Sequence, residues 1–91
     1  MSSFIHKKAW PELFEQVLQG KKRFDLRLND FEIREGDTLV LEEWDPQTKQ
    51  YTDRKIEKKV GYVLKLPPER LFALWREEEV KEKGIQVISL E

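Results

Sequence analysis

The chain is predicted to fold as a small α+β domain. The expected architecture is a mixed or antiparallel sheet of about five strands, curled into a small β-barrel, with two flanking helices. Three observations predict its plan. Ninety-one residues hold one hydrophobic core, so residues 1–91 form a single domain. Most periodic segments alternate apolar and polar residues with the period of a strand. Several of these segments follow one another without a helical crossover, which favours antiparallel neighbours.

The elements are read in chain order. A short strand is predicted around Phe4–Lys8. Trp10-Pro11-Glu12 opens a helix, with proline in the first turn and an acid near the positive end of the dipole. Leu13, Phe14, Val17 and Leu18 give that helix one apolar face, and Gly20 closes it. Arg23-Phe24-Asp25-Leu26-Arg27-Leu28 alternates strictly. It reads as a half-buried strand with Phe24, Leu26 and Leu28 toward the core. Asn29-Asp30 and Glu35-Gly36-Asp37 mark turns, and a strand follows from Thr38 to Trp44. The Asp45–Gln50 loop connects it to a return strand at about Asp53–Leu66 in a single register, with Ile56, Val60, Tyr62 and Leu64 on one face. Pro67-Pro68 stops this strand. A second helix is predicted from Pro68 to Lys83, with Leu71, Phe72, Leu74 and Trp75 as its apolar stripe. Gly84 ends it, and Ile85–Leu90 is the last strand.

Composition narrows the function classes. Apolar and charged residues each make up 38% of the chain, and the ten aromatics spread along it supply a core that a disordered segment lacks. Without cysteine, and with His6 as the single histidine, the chain holds no disulfide, thiolate or multi-histidine metal site. No metal and no cofactor is expected. No apolar run approaches the roughly 20 residues of a membrane span, and the N-terminus lacks a signal-peptide core. A cytoplasmic monomer is the expectation. The net charge of −1 speaks against non-specific DNA binding. Its distribution is uneven: residues 1–28 carry a net +3, and the remainder a net −4. The basic excess surrounds Gly20-Lys21-Lys22-Arg23-Phe24-Asp25-Leu26-Arg27.

That stretch carries Gly20, Lys22, Asp25 and Arg27 in the pattern Gly-x-Lys-x-x-acid-x-Arg, at the end of the first predicted helix. It resembles the signature of the ASCH domain family of the PUA-like superfamily, with Asp25 in place of the usual glutamate. The likeness extends to a small bacterial group of uncharacterised function. It is carried by Trp10-Pro11-Glu12, Phe14-Glu15, Arg27-x-Asn29-Asp30, Gly36-Asp37, Leu39, Leu41, Glu42 and Trp44-Asp45-Pro46. The resemblance implies a PUA-like barrel with a cleft beside the signature strand, and RNA or a nucleotide-like ligand as the partner. One small bacterial relative is an amidohydrolase that deacetylates acetylated cytidine through a lysine, a threonine and a glutamate. Lys22 matches the lysine, the threonine position falls on Asp25, and the glutamate is unplaced among Glu69, Glu77, Glu78 and Glu79. The resemblance also makes Lys8, a few residues before Pro11, a cleft residue.

The candidate binding residues are therefore Lys8, Lys22, Asp25, Arg27, Asn29 and Trp44, with Lys22 and Asp25 catalytic if the protein is an enzyme. In the binding role Asp25 orients Arg27, whose planar fork meets a phosphate or a base edge. The bland alternative is a salt-bridge ladder of Arg23, Asp25 and Arg27 at i, i+2 spacing, worth under about 1 kcal/mol. Asn29 and Asp30 also fit a simple turn, and Lys7 and Lys8 a polar strand end. His6 reads as structural, and Trp10, Trp44 and Trp75 mainly as core. These tryptophans, with Tyr51 and Tyr62, could also stack on bases, and Trp44, beside a loop, is the best stacking candidate. Glu77–Glu79 with Lys81, Glu82 and Lys83 reads as a solvated helix face. Three functions follow: an RNA- or nucleotide-binding module, an amidohydrolase acting on acetylated cytidine, or a non-catalytic protein-interaction domain.

Overall fold

The computed structural model describes residues 2–66 and 84–91. Its elements are β1 (Phe4–Ala9), α1 (Pro11–Leu18), β2 (Phe24–Leu28), β3 (Thr38–Asp45), β4 (Gln50–Leu66) and β5 (Ile85–Leu90). The second predicted helix, with Glu69, Trp75 and Glu77–Glu79, lies outside the described residues. Among the described residues no helix is long and apolar enough to cross a membrane.

The five strands form one mixed sheet in the order β1-β3-β4-β5-β2. β1 runs parallel to β3, and the other neighbours are antiparallel. β1 and β2 are the two edges and share no ladder, so the sheet does not close into the predicted barrel. A side chain spans the gap instead: Arg27 on β2 donates from Nη2 to the Lys8 carbonyl of β1 at 2.6 Å.

β4 is the spine of the sheet. Its first part pairs with β3, and from Val60 onward it pairs with β5. The change of partner coincides with a bulge between Val60 and Tyr62. One extra residue inverts the side-chain alternation of a strand. Val60 is therefore buried, while Tyr62 is 59% and Leu64 43% exposed, and Val63 packs on the core in their place. The single register expected for this strand does not hold.

The main core joins Phe14 and Val17 of α1 to Leu39 and Leu41 of β3, Ile88 and Leu90 of β5, and Ile33 from a loop. Pro11 occupies the first turn of α1, and Trp10 has extended backbone at its N-cap. Two turns of helix are marginal alone. Burial of Phe14 and Val17 contributes about 1.5–3 kcal/mol each and holds the helix on the sheet. Leu13 and Leu18 stay 44% and 47% exposed, so the apolar face is narrower than the sequence pattern.

β2 reverses its expected orientation. Asp25 is the buried residue, at 5% exposure, whereas Phe24 and Leu26 are 48% and 40% exposed. Alternation defines two faces of a strand but not which of them meets the core. Here the buried carboxylate finds charged partners in Arg27 of its own strand and in Lys22 from the turn after α1. On the outer face Leu28 joins Ile85 and Leu66 in a small separate cluster.

Candidate functional site

The site begins with the way α1 ends. Gly20 takes φ +77°, a left-handed conformation that favours glycine. Its N–H donates to the Val17 carbonyl, and the Lys21 N–H donates to that of Gln16, both at 3.0 Å. This is a Schellman closure, and it turns the chain sharply away from the helix axis. The Lys22 N–H also reaches the Gln16 carbonyl, at 3.0 Å, so the backbone of Lys22 is held against the helix end.

Asp25 is the centre of the polar group. Its Oδ2 accepts from Arg27 Nε at 2.6 Å, and its Oδ1 lies 3.8 Å from Lys22 Nζ. Arg27 then makes its bond to the Lys8 carbonyl. One buried carboxylate thus orients a lysine and an arginine, and the arginine ties β2 to β1. This arrangement replaces the predicted ladder: Arg23 turns away, and its Nε donates to the Gly20 carbonyl at 3.3 Å.

These groups line a cleft of about 510 Å³. Lys8, Lys22, Asp25 and Arg27 supply its polar wall, while Trp10, Leu13 and Leu41 contribute to its apolar one. Three cations stand against a single carboxylate, the only one lining the cleft among the described residues. Trp10, expected mainly in the core, is 51% exposed at the mouth. The volume lies within the usual range for small-molecule pockets, roughly 300–1,000 Å³.

Of the predicted site residues, the structure brings Lys8, Lys22, Asp25 and Arg27 together. Strand alternation separates Lys8 from its neighbour: Lys7 Nζ sits 3.8 Å from the Phe31 ring centroid, on another part of the surface. Trp44 stands beside the cleft, with Lys8 Nζ 4.4 Å above its ring. Asn29 is not a cleft residue. Its N–H donates to the Gly84 carbonyl at 2.9 Å and fastens the end of β2 to the start of β5. His6 faces Glu42 on the surface, with Nδ1 3.3 Å from Oε2.

Sequence reasoning misses a second polar constellation. Glu43 on β3 is buried, although it continues a run of buried apolar residues, Leu39, Val40 and Leu41. Its Oε1 accepts from Thr52 Oγ1 at 2.6 Å and from Arg54 Nε at 2.9 Å, and its Oε2 from Arg54 Nη2 at 2.8 Å. A break in the β3–β4 register beside Glu43, with Asp53 at φ +69°, lets Thr52 and Arg54 reach the same carboxylate. The Arg54 fork and the Thr52 hydroxyl hold the Glu43 carboxyl below its ordinary range, and Glu43 raises Arg54 in turn. Arg54 also lies over the Phe14 ring and 3.6 Å from Glu15 Oε2, which couples the hairpin to α1. The one signal in the sequence is an acid continuing an apolar strand, Leu39-Val40-Leu41-Glu42-Glu43, opposite Thr52-Asp53-Arg54.

Comparison with known proteins places this architecture. The crystal structure of a hypothetical protein, PH0355, superposes with a TM-score of 0.69 at 19% identity, covering 98% of this chain and 97% of the other. The S128A mutant of the ASCH protein ZmASCH from Zymomonas mobilis superposes with a TM-score of 0.67 at 12% identity, covering 97% of this chain and 67% of the other. The fold is therefore ASCH-like. An uncharacterised 12.9 kDa protein from the GpA 3′ region of Escherichia phage P2 is 39% identical over 67 residues. That match takes in 72% of this chain and spans 60% of the length of the phage relative. A family profile described as "Domain of unknown function (DUF3850)" matches residues 5–74, most of the chain, and the protein belongs to that family.

Proposed function

We propose that the cleft binds a nucleotide-like ligand, as part of an RNA- or nucleotide-binding module. The observation that carries this reading is the pairing of two unlike walls around one carboxylate. Lys8, Lys22 and Arg27 supply positive charge suited to a phosphate or an electron-rich base edge. Trp10 and Leu13 supply a surface suited to the face of a base. Asp25 fixes the lysine and the arginine in place, so less side-chain freedom is lost when a ligand arrives.

Titration of the ¹⁵N-labelled protein with nucleoside monophosphates and short RNA at low salt tests the reading. Amides around Lys22, Asp25 and Trp10 are expected to shift. Affinity for RNA should fall with salt, and Lys22→Gln should reduce the log–log salt slope by about 0.7, the loss of one contact to a single strand. The absence of shifts at these residues at low salt would refute it.

Deacetylation of cytidine derivatives has weaker support. Lys22 is at the cleft, but the threonine position is Asp25, and both oxygens of Asp25 face cations. The candidate glutamates Glu69, Glu77, Glu78 and Glu79 lie outside the described residues.

A further inference from the structure

Trp44 and Tyr51 are cross-strand partners at the end of the β3–β4 hairpin. Directly opposed residues place their Cβ atoms about 5 Å apart on one face of the sheet. Lys8 reaches over both rings, with Nζ 4.4 Å from the Trp44 centroid and 5.9 Å from that of Tyr51. Lys8 also lines the cleft. The aromatic pair therefore adjoins the polar wall of the cleft, with one lysine shared between them.

Tyr51 is 51% exposed, although a buried aromatic contributes far more to stability than an open one. About half of the residue is open to solvent, beside the Lys8 ammonium. Trp10, at the cleft mouth, is exposed to the same degree. The cleft is thus lined by one aromatic group, Trp10 at the start of α1, and meets a second aromatic group, the hairpin pair, through Lys8.

We infer that Trp44 and Tyr51 form a second stacking subsite continuous with the cleft, and that the preferred ligand is single-stranded nucleic acid of at least two nucleotides. One base occupies the cleft beside Trp10. The next stacks at the hairpin, and Lys8 meets the phosphate between them. The inference rests on the proposal that the cleft holds a nucleotide. Aromatic stacking tolerates any base, so the subsite extends the footprint without imposing a sequence.

The test compares the four nucleoside 5′-monophosphates with an unstructured RNA of about eight nucleotides containing all four bases, and with its DNA counterpart. Wild type, Tyr51→Ala and Tyr51→Phe are titrated at one low salt concentration and followed by amide and indole N–H shifts. Monophosphates are expected to move signals at the cleft alone. The oligonucleotide is expected to move the Trp44 indole and the Tyr51 amide as well, and to bind at least ten-fold more tightly. Tyr51→Ala should remove most of that gain without changing monophosphate affinity, and Tyr51→Phe should retain it. Equal affinity of monophosphate and oligonucleotide, with no shift at Trp44 or Tyr51, overturns the second subsite and leaves the cleft reading standing. Shifts at the hairpin without shifts at the cleft overturn the continuity. No response to any probe removes both. The RNA and DNA arms show whether the ribose hydroxyl contributes.

Discussion

Glu43 shows how much one residue changes the reading of a strand. Its carboxylate is buried and receives three hydrogen bonds from Thr52 and Arg54, which hold its carboxyl below the ordinary value of 4.5. Asp37 is lowered from 3.8 by the backbone N–H groups of Ser3 and Arg34. A carboxyl that is lowered in the folded state stabilises the fold above its unfolded-state value, and that contribution is lost as pH falls through the lower folded value. Stability should therefore decline as pH drops below about 4.5. In urea titrations followed by tryptophan fluorescence, Glu43→Gln is expected to flatten this decline, and equal profiles for wild type and variant would exclude Glu43 as a source. Arg54→Met leaves the carboxylate buried without its fork and should cost about 2–3 kcal/mol at neutral pH. Lys22, Asp25 and Arg27 were legible as a charged set because their spacing is a sequence property, and the resemblance to the ASCH signature made them, with Lys8, site candidates. Glu43 was not, because its partners reach it only through the irregular pairing at Asp53.

At the scale of elements, the closure of α1 governs where Lys22 lies. Gly20 sits at φ +77° in open space, and a Cβ added there would have no atom within 4 Å, so alanine meets conformational strain and no collision. Gly20→Ala should cost about 1 kcal/mol, which lowers the melting temperature by about 4–8 °C in a domain of this size. Gly61 differs: a Cβ there would meet Glu91 Oε1 at 3.1 Å, the adjustable end of a side chain. Gly61→Ala should shift the melting temperature less than Gly20→Ala, and calorimetry of the two variants checks the order. Helix and strand positions were largely legible from proline, glycine and alternation. The inversion of β4 after Val60 was not, because a bulge forms where a strand changes partners. The burial of Asp25 in place of Phe24 and Leu26 escaped the alternation for a related reason. A strand with one polar and one apolar face satisfies the pattern whichever face turns inward, and the ion partners Lys22 and Arg27 favour the face that carries Asp25.

For the molecule as a whole, Arg27 holds the open sheet together. It bonds Asp25 within β2 and the Lys8 carbonyl on β1, and so joins the first and last strands of the order. Arg27→Met removes both bonds and leaves Asp25 with Lys22 alone. It should destabilise the protein by about 1–3 kcal/mol and raise hydrogen exchange at β1 and β2 amides more than in the β3–β4 hairpin. Uniform loss of protection across all strands would contradict the latch. The same residue lines the cleft, so the bond that stabilises the sheet also shapes the binding surface. The sequence by itself determined the α+β class, the approximate strands, the first helix with its glycine stop, and the charged set at Lys22, Asp25 and Arg27, since all of these depend on local spacing. Tertiary structure alone decided that the sheet stays open, which face of β2 is buried, that Asn29 lies away from the cleft, and that Lys8 joins the cleft to Trp44 and Tyr51. Those outcomes depend on contacts between residues far apart in the chain, where pairing register and the competition for buried charge partners set the geometry.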